Sequence, residues 1–189
     1  MRSLRAAAAL AAFVAVVLQA GPASGDTEEH CAFLLEPVAV KANVIEATPV
    51  EVGCYPTYAE ALAAGSGGSI LVDATTSPSA LTNDELSASS LDASTSTVVI
   101  GTEWIETGYT STSKSYFASV TCSSLVSWEV GYVTDQWNDR FESGKGFGGC
   151  NRNRKFADSQ FGGASILCTP NCSTYGSLNN LVSSLRWRA

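Results

Sequence analysis

Beyond residue 97 the apolar positions come in short runs, each closed by Gly, Asn or Ser. Val98-Val99-Ile100-Gly101 opens the series, and Glu103–Thr107, Ser115–Cys122, Ser127–Val133, Lys155–Phe156, Ala164–Cys168 and Leu185–Trp187 continue it. No helical period of any length interrupts them. Many short strands with turn residues between them predict an all-β, antiparallel sandwich. All four tryptophans and four of the six tyrosines lie in this half, so most of the large core residues do too.

The first half reads differently. From Asp26 to Gly53 short apolar runs alternate with acids, which predicts two or three short strands. Thr57 and Glu60 then form a capping box ahead of Ala61-Leu62-Ala63-Ala64, a helix signal with Gly65 as its stop. Tyr58 and Leu62 share one face of that helix, which is too short to persist unless it packs on something. From Thr75 to Thr97, 12 of 23 residues are Ser or Thr. That stretch reads as a linker, with Leu86–Leu91 as a turn of helix against the domain.

The chain starts Met-Arg-Ser-Leu-Arg and runs apolar from Ala6 to Leu18, ahead of Ala23-Ser24-Gly25. This is the pattern of a secretory signal peptide cleaved after Gly25, with Ala20 the alternative. The run is shorter than the roughly 20 residues of a membrane span, so the mature chain is expected to be soluble and secreted. The expected divisions are residues 1–25 (signal), 26–74 (small acidic segment), 75–97 (linker) and 98–189 (sandwich).

Removing the signal takes the formal charge from −7 to −9. Residues 26–97 hold eleven acids against Lys41 alone, whereas 98–189 hold seven acids against eight bases. The basic run Arg152-Asn153-Arg154-Lys155 is too short to argue for nucleic acid in so acidic a chain, although the acidic segment would be attracted to it. Six cysteines in an exported chain favour three disulfides out of 15 pairings. Nearest-neighbour pairing gives Cys31–Cys54, Cys122–Cys150 and Cys168–Cys172. The rival is a zinc site at Cys168-x3-Cys172, which lacks a second close pair and a nearby histidine.

Candidate chemistry lies in one stretch written twice. Asn179-Asn180-Leu181-Val182-Ser183-Ser184 gathers hard oxygen donors of the kind Ca²⁺ takes from a loop. Asn138-Asp139-Arg140-Phe141-Glu142-Ser143 keeps the amide-or-acid pair first and the serine last. Each follows aromatics five residues apart, Trp104 and Tyr109 before the first, Phe156 and Phe161 before the second. After Phe161, Gly162-Gly163 supplies the positive φ that a hairpin needs to fold over its own sheet.

With these residues in place, 98–189 resembles a βγ-crystallin domain: two Greek-key motifs in two sheets. Asn179 to Ser184 match the family's calcium signature, Asn/Asp-Asn/Asp-x-x-Ser/Thr-Ser, at every defined position. The resemblance implies Ca²⁺ as cofactor, with paired motifs exchanging ligands. Its ligand candidates are Asn179, Asn180, the Leu181 carbonyl and Ser183, with Asn138, Asp139, the Arg140 carbonyl and Glu142 as counterparts. Ser143 and Ser184 would be structural, the last serine bonding the folded hairpin. Glu142 departs from the pattern's Ser/Thr, and Ser111 from its Gly.

The expected function is that of a secreted Ca²⁺-binding structural or interaction protein, with affinity of about 10⁻⁵ to 10⁻³ M for so amide-rich a site. The alternative is a metalloprotease inhibitor on the same fold, with the Cys168–Cys172 loop suited to a protease or cell-surface partner because a pinned loop loses little entropy on binding. No enzyme is expected: His30 is the one histidine, and Glu103 and Glu106 on one strand would point to opposite faces.

Overall fold

A computed structural model describes residues 28–83, 86 and 97–189; the signal peptide, most of the Ser/Thr-rich stretch and the Leu86–Leu91 turn beyond Leu86 lie outside them. The acidic segment forms two strands, within the two or three expected, but each is twelve residues long rather than short. β1 (His30–Lys41) and β2 (Val44–Tyr55) pair antiparallel, with Cys31 directly opposite Cys54. Helix α1 (Tyr58–Gly65) follows, and its capping box forms as read: Glu60 N donates to Thr57 Oγ1 at 3.2 Å and Thr57 N to Glu60 Oε2 at 3.1 Å.

Gly65 is not the stop. It belongs to the last helical turn, where a side chain would collide with the Phe117 ring. Chain reversal falls instead on Gly67 and Gly68, with φ of 65° and 84°.

The remaining strands are β3 (Val98–Trp104), β4 (Ser113–Ala118), β5 (Ser127–Val130), β6 (Ser143–Gly146), β7 (Arg152–Phe156), β8 (Ser165–Cys168) and β9 (Ser184–Arg188). One sheet, order β6-β3-β4, continues through an isolated bridge from Gly144 to Cys172. The other has the order β5-β9-β7-β8. Each motif thus lends a piece of strand to the other's sheet, β5 in one direction and Cys172 in the other. The sheets face each other across Tyr116 and Trp187, whose ring centroids lie 4.9 Å apart.

The fold is all-β as read, but not wholly antiparallel. The β1–β2 hairpin enters between β4 and β5 and pairs parallel with both, joining the nine strands into one ladder. The reason is edge protection: β4 and β5 end their respective sheets, and each takes one arm of the hairpin along part of its open edge. Phe33, Leu35 and Ala47 of the hairpin enter the core between the sheets beside Ile100, Tyr116, Trp128 and Trp187.

A second core covers the outer face of the β6-β3-β4 sheet. Tyr58 and Leu62 of α1, with Ile70, Leu81 and Leu86, pack on Val99, Trp104, Phe117 and Phe147. Lys145 fastens this cover, its Nζ donating to the carbonyls of Pro78 (2.9 Å), Ser79 (2.6 Å) and Leu81 (3.1 Å). The acidic segment is therefore bound to the sandwich on two fronts. The cysteines pair as the nearest-neighbour set, 31–54, 122–150 and 168–172, which removes the zinc alternative.

Candidate metal site

Two folded-over hairpins set the site. Trp104 and Tyr109 meet edge to face at 5.5 Å, and Phe156 and Phe161 at 5.6 Å. The final serine of each bend clamps one hairpin. Ser143 Oγ accepts from Tyr109 N (3.1 Å) and donates to Glu106 O (2.6 Å). Ser184 Oγ accepts from Phe161 N (3.0 Å) and donates to Asp158 O (2.7 Å). Ser111 takes φ 66° and Gly163 φ 69°, so the serine adopts the left-handed conformation that glycine holds in the second motif.

The bends meet. Asn180 N donates to Phe141 O at 3.0 Å and Asp139 N to Val182 O at 3.2 Å, a reciprocal pair. Asp139 and Asn180 both sit in the left-handed region, at φ 58° and 57°, which Asn and Asp tolerate better than most residues.

Seven of the eight sequence-chosen ligands separate into two sets. Asn138, Asp139, Leu181 and Ser183 line one surface cleft with Tyr132, Asp158 and Ser159. Asn138 Oδ1 there is buried and has no hydrogen-bond donor. Glu142, Asn179 and Asn180 are bonded to one another instead. The Glu142 carboxylate accepts from Asn180 Nδ2 and from Asn179 Nδ2 (3.4 Å). Asn179 cannot easily turn its oxygen outward, because Oδ1 already accepts from Tyr175 N (2.9 Å) and Thr174 Oγ1 (3.2 Å). The candidate at Arg140 is its backbone carbonyl; the side chain itself turns away, Nη1 donating to Gln136 O at 3.2 Å.

Sequence reasoning missed the polar group beneath the bends. Glu103 and Lys155 hold equivalent places in the two motifs, one residue before Trp104 and Phe156. They form a fully buried ion pair, and Tyr175 Oη donates to the other Glu103 oxygen. Burial raises the Glu103 pKa, partly opposed by Lys155, and lowers that of Lys155, partly opposed by Glu103. Burial and the Glu103 charge hold the Tyr175 hydroxyl well above its ordinary range. Glu103 is thus turned inward rather than solvated at a sheet edge, and Lys155 leaves the basic run that the sequence suggested. The neighbouring β6 makes room for the pair: a side chain on Gly144 would strike Tyr175 and Glu103.

A serine–histidine contact also forms, with His30 Nδ1 2.9 Å from Ser113 Oγ, but Ser113 is wholly buried at the start of β4. The Cys168–Cys172 loop is turned inward through its backbone. Cys172 exchanges two hydrogen bonds with Gly144, and Pro170 O accepts from Asn153 Nδ2 at 2.6 Å. Among the described residues, Glu29, Cys31 and Cys54 are the one grouping of three His, Cys, Asp or Glu ligand atoms, and both sulfurs are already bonded to each other.

About half of the chain resembles solved βγ-crystallin domains. An archaeal βγ-crystallin is 19% identical, over 47% of this chain and 96% of its own, with a TM-score of 0.35. A domain from Flavobacterium johnsoniae is 22% identical over 48% and 94% (TM-score 0.34), and the N-terminal domain of protein S 21% identical over 48% and 96% (TM-score 0.36). No family model and no curated protein matches the sequence. The sandwich itself shows paired aromatic corners, serine-clamped hairpins and bends that bond to each other.

Proposed function

We propose that this is a secreted, crystallin-type structural protein that holds Ca²⁺ at one of its two bends. One observation carries the reading: Asn138 Oδ1 is a buried acceptor without a donor, in a cleft it shares with Asp139, Leu181, Asp158 and Ser183. An unpaired buried acceptor costs about 1–3 kcal/mol, which a hard cation would recover. Asp139, Asn138 and the Ser183 hydroxyl would hold the ion, drawing on both motifs. Bound there, the cation supplies a cross-link between the bends. At the first bend one amide N–H, Asn138 Nδ2, already donates to Asp139 Oδ2 at 2.7 Å; at the second, two amides occupy the Glu142 carboxylate and the Asn179 oxygen is bonded as well, so that set fits the ion less well. Three disulfides agree with an oxidising compartment, and no described helix is long and apolar enough to cross a membrane.

Calorimetric titration of the disulfide-intact protein should find one Ca²⁺ per chain. Calcium at 100-fold over Kd should stabilise by about 2.7 kcal/mol, and Asp139→Ala or Ser183→Ala should remove most of that gain. Melting curves that coincide with calcium and with chelator would refute the proposal. The inhibitor alternative rests on the Cys168–Cys172 loop, whose backbone bonds inward while Thr169 and Asn171 stay exposed; titration against a thermolysin-like protease tests it directly.

A further inference from the structure

The outer faces of the two sheets are treated unequally. That of β6-β3-β4 lies under α1 and the Ile70–Leu81 segment. On the other sheet, Arg152 stands directly opposite Arg188 and Arg154 opposite Arg186, across neighbouring strands. Asn153, Lys155, Leu185 and Trp187 alternate with them and are buried, so the four arginines share the outward face.

Nine lysines and arginines follow residue 27, and three of them, Lys114, Lys145 and Lys155, are buried. Four of the remaining six are thus gathered on this one face of a chain whose formal charge is −7. With Leu167 and Ala189 the four line a shallow pocket of about 120 Å³. Like charges directly opposite on a sheet are destabilising. One carboxylate relieves them: Glu129 pairs with Arg186 and lies 3.6 Å from Arg188. Arg186 is further occupied by stacking on Phe156 and Phe161, at 5.3 and 4.7 Å. Arg188 shares Glu129 with Arg186, so the charge that stays uncompensated is chiefly that of Arg152 and Arg154, and Arg154 donates to a neutral hydroxyl, Ser165 Oγ, at 3.0 Å.

We infer that this face binds an acidic polysaccharide through its sulfate or phosphate ester groups. Guanidinium forks match tetrahedral oxyanions bidentately. Two rows of arginines, about 4.8 Å apart across the strands and roughly 7 Å apart along them, offer successive contacts to an extended chain. Nucleic acid fits less well. The nearby rings that would stack a base lie under Arg186, so a nucleic acid would be held here by its phosphates alone.

The test is calorimetric titration of the full chain with dextran sulfate at 50 mM salt, with inorganic sulfate and duplex DNA as parallel arms. Saturable dextran sulfate binding should weaken as salt rises and fall at least tenfold in Arg152→Gln/Arg188→Gln, while Lys41→Gln retains it. The double variant should melt at the same temperature or higher, because it removes repulsion, which separates lost binding from lost folding. No binding of dextran sulfate, binding indifferent to the double variant, inorganic sulfate bound as tightly as the polymer, or DNA bound as tightly would each overturn the inference.

Discussion

Asp139 and Asn180 share a backbone conformation, exchange hydrogen bonds with each other's bend and follow an asparagine at the same place in each motif. Around that common frame the side chains diverge. In the first bend Asn138 Oδ1 has no donor; in the second, Asn179 Oδ1 has two. Facing the first bend is Ser183, a neutral hydroxyl. Facing the second is Glu142, which draws both amides onto itself. One backbone therefore carries two bonding patterns: in the first bend Asn138 donates to the Asp139 carboxylate and keeps its own oxygen free, and in the second Glu142 takes both amides while the Asn179 oxygen is bonded to Thr174 and Tyr175. A fold can keep a bend's geometry in duplicate while the side-chain bonding differs between the copies.

The same comparison runs down to the core, where the largest effect is expected. Glu103 and Lys155 occupy matching positions with opposite charge and neutralise each other between the motifs. Lys155→Met leaves Glu103 buried and uncompensated, and should cost about 3–5 kcal/mol. Adding Glu103→Leu removes the stranded charge and should recover part of the loss. Urea denaturation of the two variants measures this; equal stabilities would show that the motifs do not neutralise each other here.

Next in size is a difference between β4 and β8. Lys114 of the first motif stands where the second has Ile166, counting from the paired Ser113 and Ser165. Phe33 of the inserted hairpin covers it, with Nζ 3.8 Å from the ring centre and donating to Val133 O at 2.7 Å. Burial lowers its pKa to about 7, opposed by Glu51. Between about pH 7 and the unfolded value near 10.5 the unfolded chain carries the extra proton, so stability rises with pH across that window; below pH 7 the full penalty applies. Lys155 acts in the same direction. Tyr58, pushed up to about 12 by burial, and Tyr116 and Tyr175, higher still, act oppositely as unfolded tyrosines ionise near pH 10. Melting between pH 7 and 9.5 should therefore climb, by a few kcal/mol at most, and Lys114→Met should flatten the climb.

A calcium experiment sharpens the bends themselves. Glu142→Ser gives the second bend the hydroxyl that Ser183 gives the first, and frees Asn180 to present its oxygen. Calorimetry should then register a second binding event, worth up to about 2.7 kcal/mol at 100-fold over its Kd. An unchanged stoichiometry would place the obstruction in the Asn179–Tyr175 bond rather than in Glu142.

The motifs were legible because they are local. The aromatic pairs, terminal serines, capping box and six-residue bends each fall within a few turns of chain, and each has a residue-type requirement that a sequence displays. β6 was not legible, since Ser143-Gly144-Lys145-Gly146 holds no apolar residue; its glycines are there to clear Glu103, Tyr175 and Asn153. The insertion of β1–β2 was not legible either. Nothing in an acid-studded hairpin says that two distant sheet edges will take it in parallel register, because that pairing depends on β4 and β5 ending their sheets. The inward turn of Glu103 and Lys155 was hidden for a related reason: each charge looks exposed until its partner, 52 positions away, is known.

The smallest effect concerns the hairpin corner. Ser111 and Gly163 hold the same left-handed conformation, at φ 66° and 69°. A non-glycine residue there carries steric cost from its Cβ that glycine lacks. Ser111→Gly should therefore stabilise, by no more than about 0.5–1 kcal/mol, because glycine also gains freedom in the unfolded chain. The reciprocal change is not its mirror image. A Cβ at residue 163 would press on the Asp158 carboxyl and on Ala157, so Gly163→Ser should lose more than Ser111→Gly gains. Thermal melts of the two variants decide the matter. If both shift equally in opposite directions, backbone conformation alone governs the corner; a larger loss at 163 means that the second motif has packed its hairpin tightly around the glycine while the first has left room for a serine.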